Sequence, residues 1–219
     1  MGKVIDGRIL DFFSSGTFLR YKRGETLIGA GDEPHGVYYL NTGYVKMNSI
    51  FENGSELTLN IFKPGSFFPM IWALGEVKNA YFYQTISNVS VYRIQKDKVL
   101  RFIRTDPKVL FDLTKRILIG LDGLLTNVGQ LLYGNSYNRV ASVLLVSAKR
   151  FGKSFKNGSV LIDLWLTHQD IANLAGITRE TVSLAMAKLA KKQIIARSHK
   201  KITVKNLQIL EREASISSV

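Results

Sequence analysis

The sequence predicts an α+β fold with three parts: a barrel of short strands over residues 1–105, a long helix over residues 106–134 and a small mixed domain over residues 135–219. Three observations lead to this prediction. Short apolar, β-branched segments alternate with turn residues in the first half of the chain. Apolar residues then recur at heptad spacing. Two short helical patterns joined by a glycine, followed by another β-type stretch, complete the chain.

Residues from about 16 to 104 make up the predicted barrel. Turn residues separate the strands, and Asn53-Gly54 is a strong hairpin signal because both residues tolerate the positive φ of a type I′ turn. Strands of this length and spacing are typical of a β-barrel or a sandwich. The predicted strands are Thr26–Ile28, Val37–Leu40, Tyr44–Met47, Leu57–Phe62, Tyr81–Ile86 and Val89–Ile94.

Asp106-Pro107 has the residue types of a helix N-cap and first turn, and the helix is predicted to run to Tyr133. Its heptad pattern predicts a seam for a twin helix, and Leu118, Leu125 and Leu132 add a second apolar edge that would cover the barrel. An amphipathic helix folded within a monomer is the alternative. The predicted dimer seam is Leu110, Ile117, Leu121, Leu124, Val128 and Leu131.

The segment from Leu166 to Leu189 predicts a helix-turn-helix. Thr167 and Asp170 have the spacing of a capping box, Gly176 permits a left-handed turn, and Thr178 caps the second helix. An unrelated αα-hairpin is the alternative. An exposed arginine on that helix can bind guanine O6 and N7, and a glutamate can accept from cytosine N4. The predicted base-reading residues are Arg179, Glu180, Ser183 and Leu184.

Residues from Ile194 to Val204 predict a hairpin with a basic tip, which would be the wing of a winged helix. Hydroxyl, amide and basic groups near helix N-termini and on such a wing suit phosphate oxygens. The predicted phosphate contacts are Thr167, His168, Gln169, Thr178, Thr181, Lys188, Ser198, His199 and Lys200.

The charge is concentrated in the same region. The whole chain has a formal net charge of +13, and fourteen Lys and Arg face five Asp and Glu from Asn138 to the end. This asymmetry predicts that the C-terminal domain binds a polyanion such as nucleic acid, with a solvated basic surface as the alternative. Together with the helix-turn-helix pattern, it makes double-stranded DNA the expected partner.

Composition excludes several classes of protein. The absence of cysteine excludes disulfides, thiolate zinc sites, cysteine-ligated iron–sulfur clusters and catalytic thiols. The longest nearly uninterrupted apolar run, Phe67–Gly75, is far shorter than the roughly 20 residues that cross a bilayer. No basic stretch followed by an apolar block opens the chain. We therefore expect a soluble, cytoplasmic protein with no membrane partner.

On these residues the chain resembles the cyclic-AMP receptor protein/fumarate–nitrate reductase regulator (CRP/FNR) family of bacterial transcription factors. The resemblance covers nearly the whole chain: glycines at the barrel turns, Val128-Gly129 in the long helix, and the segments Thr167–Ala172 and Thr178–Ser183. It implies a cyclic-nucleotide-binding-like jelly roll, a dimerisation helix and a winged helix-turn-helix. It also implies a homodimeric activator that binds an inverted repeat and contacts RNA polymerase.

The resemblance places Arg179 and Glu180 at the family's base-reading positions. Members of the cyclic-AMP type have a further arginine where this chain has Leu184, so Leu184 is expected to touch a thymine methyl group instead. We expect a half-site with a G·C pair read by Arg179 and Glu180.

The resemblance also bears on the effector. Members that bind cyclic nucleotide hold it with a Gly-Glu-Leu turn and an Arg-Ser pair, whereas Met70-Ile71 falls near the Glu-Leu position here and no Arg-Ser follows. Leu124 and Leu125 occupy the positions whose hydroxyls contact adenine in those members. Because a phosphate buried without a guanidinium is strongly unfavourable, we expect no binding of cyclic AMP. We also expect no cofactor, since an iron–sulfur cluster is excluded by the absence of cysteine and the effector is left unidentified.

Several interpretations of what the barrel domain binds remain open. An apolar or aromatic ligand would fit a pocket between barrel and helix, with core packing as the alternative; its lining would be Met70, Ile71, Trp72, Tyr81, Tyr83, Leu124 and Leu125. A haem sensor using His35, or a constitutive regulator whose barrel binds nothing, are further alternatives. A cupin-type metalloenzyme needs several histidines inside the barrel, but only His35 lies in that region, so we expect no metal site and no enzyme activity.

Overall fold

The computed structural model describes residues 2–198 and 201–215, with side chains described from residue 7 onward. The chain divides into two compact units, Met1–Leu121 and Asp122–Val219. The division falls inside the long helix, which the sequence-based division treats as a segment of its own. Within the described ranges, no helix combines the length and the apolar composition needed to cross a bilayer.

The first unit contains two antiparallel four-stranded sheets, in the orders β1-β8-β3-β6 and β2-β7-β4-β5. Apolar side chains from both sheets meet in one cluster, which includes Tyr38, Leu40, Met47 and Tyr83. The jelly-roll barrel is thereby confirmed. Its strands are β1 (Thr17–Tyr21), β2 (Thr26–Ile28), β3 (Val37–Thr42), β4 (Val45–Ile50), β5 (Glu56–Phe62), β6 (Phe67–Phe68), β7 (Phe82–Thr85) and β8 (Val89–Ile94).

Strand β3 is buried on both faces. Because successive side chains point to opposite faces of a strand, Tyr38 and Leu40 enter the barrel interior while Val37 and Tyr39 face outward. The outward pair joins a second apolar cluster with residues of four helices, α1 (Gly2–Ser14), α2 (Met70–Gly75), α3 (Lys96–Thr105) and α4 (Pro107–Tyr133). A helical layer therefore covers one sheet of the barrel.

The description of residues 16–104 as strands alone is wrong for two segments. Met70–Gly75 is a short helix, α2, and Lys96 opens helix α3. Val99 and Ile103 of α3 are buried at i, i+4 spacing, which is a helical rather than a strand period. This helical spacing is present in the sequence, but it extends over too few residues to be distinguished from the neighbouring strand patterns.

Helix α4 begins as predicted. The Asp106 carboxylate accepts from the backbone N–H groups of Lys108 (3.1 Å) and Val109 (3.4 Å), so it caps the helix. Val109 and Leu113 are buried, whereas Leu118, Leu125 and Leu132 of the predicted second apolar edge are exposed, so that edge is not buried within a single chain.

The second unit packs helices against a small sheet of order β11-β12-β10-β9. Its core includes Leu144, Ile162, Ile171, Leu189 and Val204, all buried. The elements are α5 (Ser136–Phe151), β9 (Gly152–Ser154), β10 (Val160–Ile162), α6 (His168–Ala175), α7 (Arg179–Lys191), β11 (Ile195–Ser198), β12 (Lys201–Val204) and α8 (Leu207–Ala214). This is a winged helix-turn-helix, as predicted.

Candidate nucleic-acid interface

The capping box at the start of α6 forms as the sequence predicts. The Thr167 hydroxyl accepts from the Asp170 backbone N–H (3.1 Å), and the Asp170 carboxylate accepts from the Thr167 backbone N–H (2.8 Å) and hydroxyl (2.6 Å). The hydroxyl hydrogen of Thr167 is therefore already donated within the chain.

The turn between α6 and α7 also follows the prediction. Gly176 has φ 62° and ψ 42°, the left-handed conformation that glycine adopts without steric cost. The Thr178 hydroxyl accepts from the Thr181 backbone N–H (3.3 Å) and lies 3.0 Å from the Thr181 hydroxyl. Of the two predicted phosphate contacts at this turn, Thr178 caps α7 and is exposed, whereas Thr181 supplies the capped backbone N–H and is half-buried.

Helix α7 has one buried and one exposed face. Val182, Ala185, Met186 and Leu189 are buried, so the opposite side of the helix is left for solvent. Of the predicted base-reading residues, Arg179, Glu180 and Leu184 are exposed, and Leu184 is 74% exposed. The exposed face continues through two residues that the prediction omitted, at helical spacing from Leu184: Ala187 and Lys191.

Ser183 is half-buried, because its hydroxyl takes part in contacts within the chain. Its Oγ lies 3.0 Å from the Arg179 carbonyl oxygen and 2.8 Å from His168 Nδ1. His168 Nε2 lies in turn 2.6 Å from Arg197 Nη1 on β11. Burial and the charges of Arg197 and Arg179 lower the pKa of His168. Arg197 is exposed and was not among the predicted contacts, although it is a basic residue beside the predicted wing tip.

The other flank of α7 lies against Tyr137 of α5. Lys188 Nζ is 4.5 Å from the centre of the Tyr137 ring, and Lys192 Nζ is 5.2 Å from it. Lys192 also pairs with Glu213 at 2.7 Å, and this hydrogen-bonded ammonium lowers the pKa of the Glu213 carboxyl. Lys188, a predicted phosphate contact, is exposed and is held at this flank by the aromatic ring.

The remaining predicted phosphate contacts lie near the start of α6 and on the wing. Gln169 is exposed and donates to the Asn173 side chain (2.7 Å), and Ser198 is exposed at the end of β11. His199 and Lys200 lie outside the described residues. At the base of the wing, Asp163 pairs with Lys153 (2.6 Å) and Lys201 (3.4 Å), and the Lys153 hydrogen bond chiefly lowers the pKa of Asp163.

Residues predicted to line an effector pocket do not form one group within the first unit. Trp72 packs in the cluster outside the barrel, with Met70 against it, and its Nε1 donates to Glu33 (2.9 Å). Tyr83 packs in the barrel interior, with Tyr81 against it. Ile71 is exposed, and Leu124 and Leu125 are exposed in the second unit. Among the described residues, no three histidine or acidic side chains are grouped so that they could hold a metal ion.

The six seam residues of α4 are all exposed in the single chain. Leu110, Ile117, Leu121, Leu124, Val128 and Leu131 are between 37% and 51% exposed. They form an apolar row at heptad spacing along a helix of 27 residues, with Thr114 as the one polar residue of the row, between Leu110 and Ile117.

Two family models match the chain in succession: the cyclic nucleotide-binding domain over residues 18–106 and the Crp-like helix-turn-helix domain over residues 138–213. Among similar proteins, the global nitrogen regulator of Nostoc sp. (strain PCC 7120) is 29% identical over 199 residues, which cover 88% of this chain and 87% of the relative. The CRP-like cAMP-activated global transcriptional regulator of Mycobacterium tuberculosis is 27% identical over 194 residues, covering 89% and 86%.

Solved structures show the same two-domain fold. A transcriptional regulator of the CRP/FNR family from Thermus thermophilus superposes with a TM-score of 0.73 at 25% identity, covering 92% of this chain and all of that one. A CooA mutant from Carboxydothermus hydrogenoformans has the same fold, with a TM-score of 0.80 at 22% identity over 95% and 94% of the two chains. With both domains matched in the same order, the chain belongs to the CRP/FNR family and is a DNA-binding transcriptional regulator.

Proposed function

We propose that two copies of this regulator bind an inverted repeat, each placing α7 in a major groove where Arg179 and Glu180 read a G·C pair. The observation that carries this proposal is the division of α7 into a buried apolar face and an exposed face with Arg179 and Glu180 in its first turn. The N-terminal residues of a recognition helix are the ones that reach base edges. An arginine donates to guanine O6 and N7, and a glutamate accepts from cytosine N4.

The exposed apolar row on α4 supports the homodimer. Apolar side chains at heptad spacing on one side of a long helix pair with a second helix by knobs-into-holes packing. Leaving such a row in water is unfavourable, because burying one leucine contributes about 1.5–3 kcal/mol. A second copy of α4 supplies a matching row in the same register.

The effector of the barrel is a molecule other than cyclic AMP. The segment between β6 and β7 contains no arginine, and its one lysine, Lys78, is exposed. Aromatic rings stack inside the barrel, with Phe68 5.2 Å from Tyr83 and 4.8 Å from Phe62. A cyclic phosphate would find no guanidinium in that segment. Calorimetric titration should detect no cyclic AMP binding, and micromolar affinity would contradict this part of the proposal.

A constitutive regulator is the second candidate, favoured by the same aromatic filling of the barrel. An effector-controlled sensor and a constitutive regulator are distinguished by comparing operator affinity before and after unfolding and refolding, a treatment that removes a co-purified effector. A loss of affinity on refolding, restored by an extract of the cells, supports a sensor; unchanged affinity supports the constitutive regulator.

The protein acts by binding rather than by catalysis, in the cytoplasm where bacterial DNA and RNA polymerase are found. Selection of bound duplexes from a random pool tests the central claim. We expect an inverted repeat whose half-site centres lie about 10 base pairs apart, each half containing a G·C pair. Recovery of a single, non-repeated site would overturn the dimeric arrangement.

A further inference from the structure

A chain of hydrogen bonds connects the wing to the recognition helix α7. Arg197 Nη1 on β11 lies 2.6 Å from His168 Nε2, His168 Nδ1 lies 2.8 Å from Ser183 Oγ, and Ser183 Oγ lies 3.0 Å from the Arg179 carbonyl oxygen. Three elements that are separate in sequence (β11, the first residue of α6, and α7) meet at this point.

Only one arrangement of protons satisfies this chain. A guanidinium can only donate, so His168 Nε2 is unprotonated and accepts from Arg197. The neutral ring then carries its proton on Nδ1 and donates to the Ser183 hydroxyl. The Ser183 hydrogen is in turn donated to the Arg179 carbonyl oxygen. The histidine must therefore be neutral for all three hydrogen bonds to exist.

The surrounding charges agree with a neutral ring. Burial lowers the pKa of His168, and the positive charges of Arg197 from β11 and Arg179 from α7 lower it further. On its own helix, the Asp170 carboxylate already accepts from the Thr167 backbone and hydroxyl. Within the described part of the chain neither arginine forms an ion pair and both are exposed, so the charges of both guanidinium groups act on a neutral imidazole.

We propose that Arg197 binds a DNA backbone phosphate, and that His168 is the positioning residue that holds its guanidinium beside α7 rather than a phosphate contact itself. The proposal rests on the docking of α7 in the major groove given above. Arg197 uses one N–H on His168 and keeps its other donors for phosphate oxygens. Ser183, whose hydrogen is committed to the Arg179 carbonyl, offers DNA only an acceptor.

His168 could either position Arg197 or contact a phosphate itself, and these two roles predict opposite effects of His168 protonation on operator affinity. A proton on Nε2 would face the Arg197 N–H, so the hydrogen bond would be replaced by repulsion between like charges. In the positioning role, operator affinity therefore falls on acidification, at a pH below the ordinary histidine pKa of about 6.5, because burial and the two arginines lower the pKa of His168. In the contact role, affinity rises over the same range, because an imidazolium attracts phosphate.

The experiment measures affinity for the selected operator between about pH 8 and pH 5.5 by fluorescence anisotropy, with wild type and five variants. Arg197→Ala should weaken binding about ten-fold and reduce the salt dependence by about one phosphate contact. His168→Ala should weaken binding to a similar extent, and the double variant should be no weaker than Arg197→Ala alone. His168→Gln keeps an acceptor for Arg197 without a titrating proton, so it should retain affinity and lose the pH dependence. Arg212→Ala on α8 is the control for removing one positive charge.

Three results would overturn the proposal: affinity that rises on acidification in wild type but not in His168→Gln, Arg197→Ala binding as tightly as Arg212→Ala, or fully additive losses in the double variant. If instead α7 does not bind in the major groove, a different result is expected: Arg179→Ala would leave sequence preference unchanged, whatever the His168 variants do. Because His168→Gln is expected to fold and bind, the test does not depend on the alanine variants remaining folded.

Discussion

Arg179 lies in the first turn of α7, where its exposed guanidinium can reach a base edge. Arg179→Ala should cost about 1–3 kcal/mol on the cognate operator and relax the preference at one base pair. Arg212→Ala removes the same charge from an exposed position on α8 and should leave that preference unchanged. Competition binding against single-base variants of the operator measures both effects. Uniform weakening on every sequence would make Arg179 a phosphate contact.

Leu184 is a large apolar side chain on the exposed face of α7, and it is 74% exposed. Leu184→Arg should add preference for a guanine at the position it faces, because arginine can donate to both O6 and N7. The gain should be about 1–3 kcal/mol over the other bases. Selection of duplexes by the variant and by wild type compares them directly; identical selected sites would show that residue 184 does not face the bases.

At the scale of one element, α4 carries glycines that packing does not require. A Cβ added at Gly123 would meet no heavy atom within 4 Å, and glycine costs about 1 kcal/mol relative to alanine inside a helix. Gly123→Ala should therefore stabilise the protein by up to about 1 kcal/mol, measured by chemical unfolding at fixed protein concentration.

Gly158 is the matched control for this substitution. A Cβ there would also meet nothing within 4 Å, but its φ is +80°, which L-residues rarely adopt. Gly158→Ala should destabilise the protein. If Gly123→Ala also destabilises it, the glycine is needed in the dimer seam or for movement of the helix.

At the scale of the whole molecule, the exposed row on α4 should control assembly. Leu121→Glu puts a charge in the middle of the predicted seam and should convert the proposed dimer to a monomer, because a carboxylate cannot be buried without a partner. Sedimentation velocity measures the change, and affinity for the inverted repeat should fall with it. Thr126→Glu adds the same charge at an outer heptad position and should leave a dimer. Dissociation by both variants would place the interface elsewhere.

Local patterns in the sequence determined much of the fold. Asp106, Thr167 and Thr178 cap helices through contacts within three residues, and Gly176 adopts the φ that its turn requires. The buried face of α7 follows from helical spacing alone. The heptad row on α4 is equally local, which is why the helix ends where the pattern ends. The helices α1 and α3 were not foreseen, since their apolar faces are short and are completed by cluster partners distant in the chain.

The DNA-binding site was likewise predictable only where its features depend on residues close together in the sequence. The amino-acid sequence by itself determined that α7 would expose Arg179, Glu180 and Leu184, because one helical period fixes which side chains face away from the core. Only the tertiary structure decided that His168 joins Ser183 to Arg197, residues 15 and 29 positions away along the chain. The hydrogen-bonding role of a histidine depends on which atoms the fold brings to its two nitrogens, and no spacing along the sequence encodes that proximity.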